Sequence, residues 1–291
     1  MSLAFSQANL AAPKPGAFRT LAAAIGAGVA LIVVGEGIWI GMIAAYARHP
    51  TPFPWFVPAM ALVLAASAAW MKWGRWPNFG AAARREGVRL NAVPLRSFLL
   101  ALAAGWSTFF AGAGFYIAYR MTSGLGAEVP MTILPGPKAT IVAGLAMAAI
   151  VAGVLEEVSV RGFIQGRLEK PFGVVPAIVI SGLVWALFHT NHSYFDTTPL
   201  NVAIWFGIFL TVSAMLGTIA HRTNSVLPGI VIHAVFDSTY FVSAGLLQPK
   251  IAPLAFVESL AAPQTFTAIG TGLAVIAAIS WTLFFRVTRN A

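Results

Sequence analysis

Cysteine is absent from this sequence of 291 residues. Its absence excludes disulfide bonds, catalytic thiols and metal sites built on thiolates. Charged residues are also scarce: Asp, Glu, Lys and Arg make up only 9% of the chain, whereas a soluble domain contains about 25%. Hydrophobic residues account for 58%, and the mean hydropathy is +0.81. This composition excludes an ordinary soluble protein and predicts an integral membrane protein.

Acidic residues are the rarer charged class, with 9 Asp and Glu against 18 Lys and Arg, which gives a net charge of +9. In a soluble protein, such an excess would indicate nucleic-acid binding. Here membrane topology and contact with anionic lipid account for the basic residues. We therefore expect membrane lipid as a partner and no nucleic acid.

Long apolar runs occupy most of the chain and approach the roughly 20 residues that a membrane-spanning helix needs. They predict an all-α fold, a polytopic membrane bundle of about eight transmembrane helices. The two runs in the middle are short unless their helices continue beyond them. The predicted spans, in chain order, cover residues 21–46, 53–71, 98–119, 139–155, 174–188, 202–220, 226–247 and 266–285.

The distribution of basic residues orients this bundle. With the N-terminus inside, most of the 18 Lys and Arg residues fall in cytoplasmic segments, which follows the positive-inside rule and predicts that both termini are cytoplasmic. Residues 72–96 form the largest cytoplasmic loop, which is strongly basic, or alternatively contain an amphipathic helix lying on lipid. We divide the chain into a tail (1–20), spans 1–3 with this loop (21–138), a central core (139–245) and a final span (246–291).

Two adjacent glutamates follow an uncharged apolar run. Ionisable groups at membrane depth are costly and usually mark function. On a helix, Glu156 and Glu157 point about 100° apart, so they cannot share one role. Glu157 precedes Arg161 by four residues, the favourable order for an ion pair. Glu156 then lacks a local partner and can face a cavity as a general base. The alternative is that both glutamates belong to an ion-pair network at a helix end.

Two histidines belong to predicted spans: His189 at the end of one span and His233 inside another. The chain is interrupted near Gly173, and Glu156 lies about as far before this break as His189 lies after it. An antiparallel helical hairpin would therefore bring Glu156 and His189 to the same depth. His233 and Asp237 are four residues apart and share one helical face.

Glu36 is a further ionisable residue inside a span. It lies between two glycines in the first predicted helix. No partner is close to it in sequence, so we interpret it as a carboxylate that bonds a neighbouring helix or faces a cavity, rather than as a catalytic group.

The adjacent glutamates and the two histidines belong to three ordered motifs within residues 139–245. The set resembles the CAAX prenyl protease and bacteriocin-processing family of intramembrane endopeptidases, which includes the type II CAAX proteases and their bacterial relatives. The first motif, which continues as Arg-Gly-Phe, is the most specific of the three. The motifs read Glu156-Glu157-x-x-x-Arg161, Trp185-x-x-x-His189 and His233-x-x-x-Asp237.

The resemblance implies an enzyme that hydrolyses a peptide bond near the C-terminus of a membrane-associated protein or peptide. By position, Glu156 matches the family glutamate that activates water, and His189 matches the histidine that helps to position this water. His233 and Asp237 match the pair assigned to oxyanion stabilisation. Glu157 and Arg161 match the structural ion pair. The resemblance also implies a multi-pass location in a bacterial plasma membrane and no cofactor.

Two positions depart from the family pattern. Trp185 replaces the usual Phe, which we treat as conservative. Asp237 stands where the prenyl-protein proteases have Asn, and an ionised carboxylate can only accept hydrogen bonds. Asp237 is therefore either protonated or orients His233, which then remains the donor. This departure weakens the assignment of a prenylated substrate.

Two other functions use the same residues. Glu156, His189 and His233 could hold zinc as a His₂Glu set with an open position for water, which would make the protein a metalloprotease. Alternatively, the protein is not an enzyme but a proton-coupled transporter, a bacteriocin immunity protein or a scaffold. The sequence contains no inverted repeat with paired broken helices, the pattern that would indicate a carrier.

Overall fold

The computed structural model describes residues 16–74, 81–123, 136–189, 198–247 and 253–289. All regular structure in these ranges is helical, so the predicted all-α fold is confirmed. Most of the predicted tail (1–20) and the part of the basic loop at 75–80 lie outside the described residues.

The described chain contains eleven α-helices and one π-helical stretch, which we call the π segment. In chain order the α-helices are α1 Ala17–Arg48, α2 Phe56–Trp73, α3 Ala81–Val88, α4 Leu95–Ser123, α5 Lys138–Glu156, α6 Gly166–Phe172, α7 Val174–His189, α8 Pro199–Thr223, α9 Leu227–Leu247, α10 Pro253–Glu258 and α11 Pro263–Val287; the π segment, Glu157–Gln165, joins α5 to α6.

Seven helical stretches of the described chain are long and apolar enough to cross a membrane. They correspond to seven of the eight predicted spans. The stretch from Lys138 to Phe172 is longer than predicted, because α5 continues through the π segment into α6. The remaining predicted span is α7, whose 16 residues reach only about 24 Å. The cytoplasmic location of both termini stays a prediction.

The break near residue 173 separates two helices, as the hairpin interpretation requires. Gly173 has a positive φ of 83°, a backbone conformation that glycine adopts without the steric penalty of a side chain. Its amide caps α6 by donating to the Glu169 carbonyl at 2.9 Å. The chain then turns back, so that α7 packs against both α6 and the π segment.

The basic loop is partly folded and packs on protein. Its helix α3 contacts the π segment, and a Cβ added at Gly162 would lie only 2.7 Å from the Gly87 carbonyl oxygen. Beyond α3, Arg89 binds Glu169 through two hydrogen bonds of 3.1 and 2.6 Å, and its carbonyl accepts from the Val226 amide. The described end of the loop is therefore anchored to the central helices, and α3 does not lie on lipid alone.

Candidate active site

The π segment carries the first motif into the middle of the bundle. All nine of its residues are buried, and it contacts α1, α3, α5, α6, α7 and α8. Small residues permit this crowding: a Cβ added at Gly28 of α1 would meet the Ile164 side chain at 2.5 Å. π-Helical stretches are rare and often occur at functional sites. The junction of α5 and the π segment falls between Glu156 and Glu157.

Glu157 and Arg161 form an ion pair inside the π segment. The Arg161 Nη1 and Glu157 Oε1 atoms are 3.0 Å apart, and both side chains are almost completely inaccessible to solvent. The guanidinium also lies over the Trp185 ring, with its Cζ 4.7 Å from the ring centroid. The arginine thus neutralises Glu157 and contacts the helix that carries the second motif.

Glu156, the last residue of α5, points toward both histidines. Its Oε2 atom is 3.7 Å from His189 Nε2 and 4.0 Å from His233 Nε2. The same oxygen accepts a hydrogen bond from the indole N–H of Trp185. The structure therefore brings together the acid and the two imidazoles that the sequence singles out, from α5, α7 and α9.

His189 has a defined tautomer. Its Nδ1 atom lies 2.9 Å from the Trp185 carbonyl oxygen, one turn earlier in α7. A carbonyl can only accept, so Nδ1 carries the proton of this hydrogen bond. In the neutral imidazole, Nε2 is then unprotonated and presents its lone pair toward Glu156.

His233 lies between two carboxylates. Its Nδ1 is 3.1 Å from Glu157 Oε1, and its Nε2 is 3.3 Å from Asp237 Oδ2. Ionised carboxylates only accept hydrogen bonds, so both ring nitrogens donate when both acids are charged, which makes His233 an imidazolium. Of the two arrangements considered for Asp237, this geometry fits the one in which Asp237 orients His233.

Trp185 is the residue whose contribution the motif comparison underestimated. A phenylalanine at this position has no N–H, so the replacement adds a hydrogen-bond donor beside Glu156. The tryptophan in the sequence could have indicated this donor, because a buried indole N–H usually has a hydrogen-bond partner.

Glu36 lies near this site without joining its hydrogen bonds. The preceding residue, Gly35, packs so closely on Leu155 that an added Cβ would lie 2.5 Å from that side chain. Glu36 is half-buried on a helix that contacts α5. Its interpretation as a carboxylate that bonds a neighbouring helix or faces a cavity stays a prediction.

Among the residues that the structure describes, no group of three or more His, Cys, Asp or Glu side chains is arranged to hold a metal ion. Within the candidate set, Glu156 Oε2 lies 3.7 Å from His189 Nε2 and 4.0 Å from His233 Nε2, and it also accepts the Trp185 N–H. The expectation that the protein needs no cofactor stays a prediction.

Comparison with known families identifies the central segment. A family model described as "Type II CAAX prenyl endopeptidase Rce1-like" matches residues 138–239. This range contains all three motifs, from Glu156 to Asp237. No curated protein and no solved structure matches the chain. With its apolar helices, the chain is an integral, multi-pass membrane protein. Residues 138–239 are thus similar to the Rce1-like type II CAAX prenyl endopeptidases, a family of proteases.

Proposed function

We propose that this protein is an intramembrane glutamate endopeptidase that hydrolyses a peptide bond near the C-terminus of a membrane-associated protein or peptide. The observation that carries the proposal is the convergence of Glu156, His189 and His233 from three helices, with the imidazole nitrogens within 4.0 Å of one carboxylate oxygen. A buried acid beside two imidazoles in an apolar bundle supports acid–base chemistry.

In the proposed reaction, Glu156 removes a proton from water. The 3.7 Å separation from His189 Nε2 allows one water molecule to lie within hydrogen-bond distance of both groups. The unprotonated Nε2 accepts from the second water hydrogen and orients the oxygen. The water oxygen bonds to the peptide carbonyl carbon, the C–N bond breaks, and Glu156 returns its proton to the leaving amine nitrogen.

His233 is proposed to stabilise the oxyanion that develops on the substrate carbonyl. Its Nε2–H lies on the Glu156 side of the ring, where Asp237 holds it in the absence of substrate. Removing one such donor commonly costs about 2.7–4 kcal/mol of transition-state stabilisation. Asp237 thus acts through His233, and no protonated Asp237 is required.

The substrate is proposed to be a membrane-associated chain, and the protein to act in a bacterial plasma membrane. The matched family model describes a prenyl endopeptidase, which makes a C-terminal peptide with a prenylated cysteine the first probe. Because Asp237 replaces the usual Asn of the prenyl-protein proteases, an unprenylated peptide of the same sequence belongs in the same experiment.

The direct test uses purified protein in liposomes with these two internally quenched peptides. We expect one cleavage site near the peptide C-terminus, identified by mass spectrometry, and the same rate after dialysis against a chelator. A rate that chelation abolishes and zinc restores would favour the metalloprotease alternative. Proton uptake into the liposomes without cleavage of either peptide would contradict the proposal.

Close contact between α5 and α9 gives a second prediction. A Cβ added at Gly153 would lie 3.0 Å from the Ala234 amide nitrogen and 3.1 Å from the Ile230 carbonyl oxygen, both backbone atoms. Gly153→Ala should push the helix that carries His233 away from Glu156. We expect kcat to fall about 10-fold or more, because small misplacements of catalytic groups have large effects.

The matched control for this variant is Gly41→Ala. Gly41 is also helical, but among the described residues no atom outside its own helix lies within 4 Å of an added Cβ. This substitution should leave kcat unchanged. Equal peptide-cleavage rates for the Gly153 and Gly41 variants would show that helix separation does not control the site.

A further inference from the structure

Trp185 occupies the centre of the candidate site. It is 3% exposed, and its indole N–H donates to Glu156 Oε2. Its carbonyl oxygen accepts from His189 Nδ1 at 2.9 Å. Its ring stands perpendicular to that of His233, with the centroids 5.9 Å apart. A single residue therefore contacts the acid and both imidazoles.

We propose that Trp185 is a positioning residue, which holds the Glu156 carboxylate in the orientation and charge state needed to activate water and fixes the tautomer of His189. This inference rests on the proposed function and names a residue whose usual family counterpart, Phe, cannot donate the hydrogen bond. The backbone carbonyl that fixes His189 would be retained with Phe, so the indole N–H is the part specific to this chain.

The chemical reason concerns the ionised acid. A carboxylate buried in apolar surroundings loses hydration, and hydrogen-bond donors aimed at it favour the charged, basic form. The N–H of Trp185 supplies such a donor. It also fixes one carboxylate oxygen, which restricts rotation of the Glu156 side chain and defines where water can bind.

Asp237, which stands where the prenyl-protein proteases have Asn, increases the need for the Trp185 N–H donor. Asp237 Oδ2 and Glu156 Oε2 lie 3.3 and 4.0 Å from the same atom, His233 Nε2. An Asn at 237 would be neutral, whereas an ionised Asp adds a negative charge near Glu156. Like charges disfavour ionisation of a neighbouring acid. The Trp185 N–H, which donates to the same Glu156 oxygen, acts against this effect.

The test removes the N–H and keeps the ring shape. Trp185 is replaced by benzothienylalanine, an isostere with sulfur in place of the indole N–H, and separately by Phe. On the peptide that the wild type cleaves fastest, we expect both variants to lose about 10- to 100-fold in kcat, the effect of one hydrogen bond to a charged group. KM should change by less than about twofold, because the donor acts on the base and not on substrate binding.

Trp106 provides the matched control. Its Nε1 is buried and has no hydrogen-bond partner among the described residues. Replacing Trp106 by benzothienylalanine should therefore leave kcat unchanged. Wild-type kcat in the Trp185 isostere would overturn the inference, as would equal losses in both isosteres.

A measurement independent of activity examines the contact itself. In protein labelled with nitrogen-15 at tryptophan indoles, the Trp185 resonance is assigned by its loss in Trp185→Phe. Glu156→Leu, which removes the acceptor, should shift this resonance more than that of any other tryptophan. An unshifted Trp185 resonance would show that the hydrogen bond is absent.

The two proposals fail in distinguishable ways. Peptide cleavage at the wild-type rate by Glu156→Gln would refute the proposed function. An inactive Glu156→Gln together with a fully active Trp185 isostere would refute only the positioning role of Trp185.

Discussion

Replacing Glu156 by Gln is expected to lower kcat for peptide cleavage by about 100- to 10,000-fold, the usual contribution of a positioned general base. Glutamine keeps the shape of the side chain and can still accept the Trp185 N–H through its amide oxygen. It cannot remove a proton from water. The fold should therefore persist while hydrolysis stops, and both can be measured on the purified variant.

The matched control is Glu36→Gln, which removes another carboxylate from an apolar span. Glu36 is half-buried and follows Gly35, which packs on Leu155, yet no hydrogen bond from Glu36 to the candidate site is found in the described structure. We expect its kcat to stay near the wild-type value. In cells, mass spectrometry of membrane-peptide C-termini should detect shortened peptides with wild-type protein and with Glu36→Gln, but not with Glu156→Gln. Shortened peptides at wild-type levels in the Glu156 variant would contradict its role as the base.

Replacing Arg161 by Met is expected to have the largest effect on stability. The guanidinium is fully buried and pairs with Glu157 at 3.0 Å. Its removal leaves the Glu157 carboxylate in the interior with His233 as its remaining charged partner. Breaking a buried pair in this way typically costs about 3–5 kcal/mol. Thermal unfolding in detergent should show a correspondingly lower midpoint.

A double variant separates loss of the ion pair from loss of packing. Glu157→Gln combined with Arg161→Met removes both charges, so that no uncompensated carboxylate remains. We expect the double variant to be more stable than Arg161→Met alone, since replacing a whole buried pair is often close to neutral. Equal or greater destabilisation of the double variant would show that packing of the arginine over Trp185, and not charge pairing, dominates.

The membrane architecture could be predicted because its signal is local. A span needs about 20 apolar residues, and such runs can be recognised without knowing what they pack against. The predicted run 139–155 was too short, because the stretch to Phe172 is helical even though it contains charged residues. Three of those residues, Glu156, Glu157 and Arg161, are buried against protein. Arg161, for example, is fully buried, so mean hydropathy underestimates how far this helix extends inside the bundle.

The Glu157–Arg161 pair was predictable for a similar reason, because four residues within a helical stretch bring the two side chains together. The contacts of Trp185 and His233 were not. Trp185 is 29 residues from Glu156, and His233 is 76 residues from Glu157. Such contacts depend on how each helix is rotated about its axis, and a helix that is apolar on all sides gives no periodic signal for this rotation.

The sequence by itself thus determined an α-helical membrane protein and the residues with which it could act, because apolar length and motif spacing are properties of the chain alone. Tertiary structure decided which atoms meet: that both nitrogens of His233 face carboxylates, and that the tryptophan at position 185 donates to Glu156. The physical reason is that close packing of α1 and α7 against the π segment, and of α9 against α5, fixes the rotation of each helix, and only then do side chains from distant motifs come within hydrogen-bond distance.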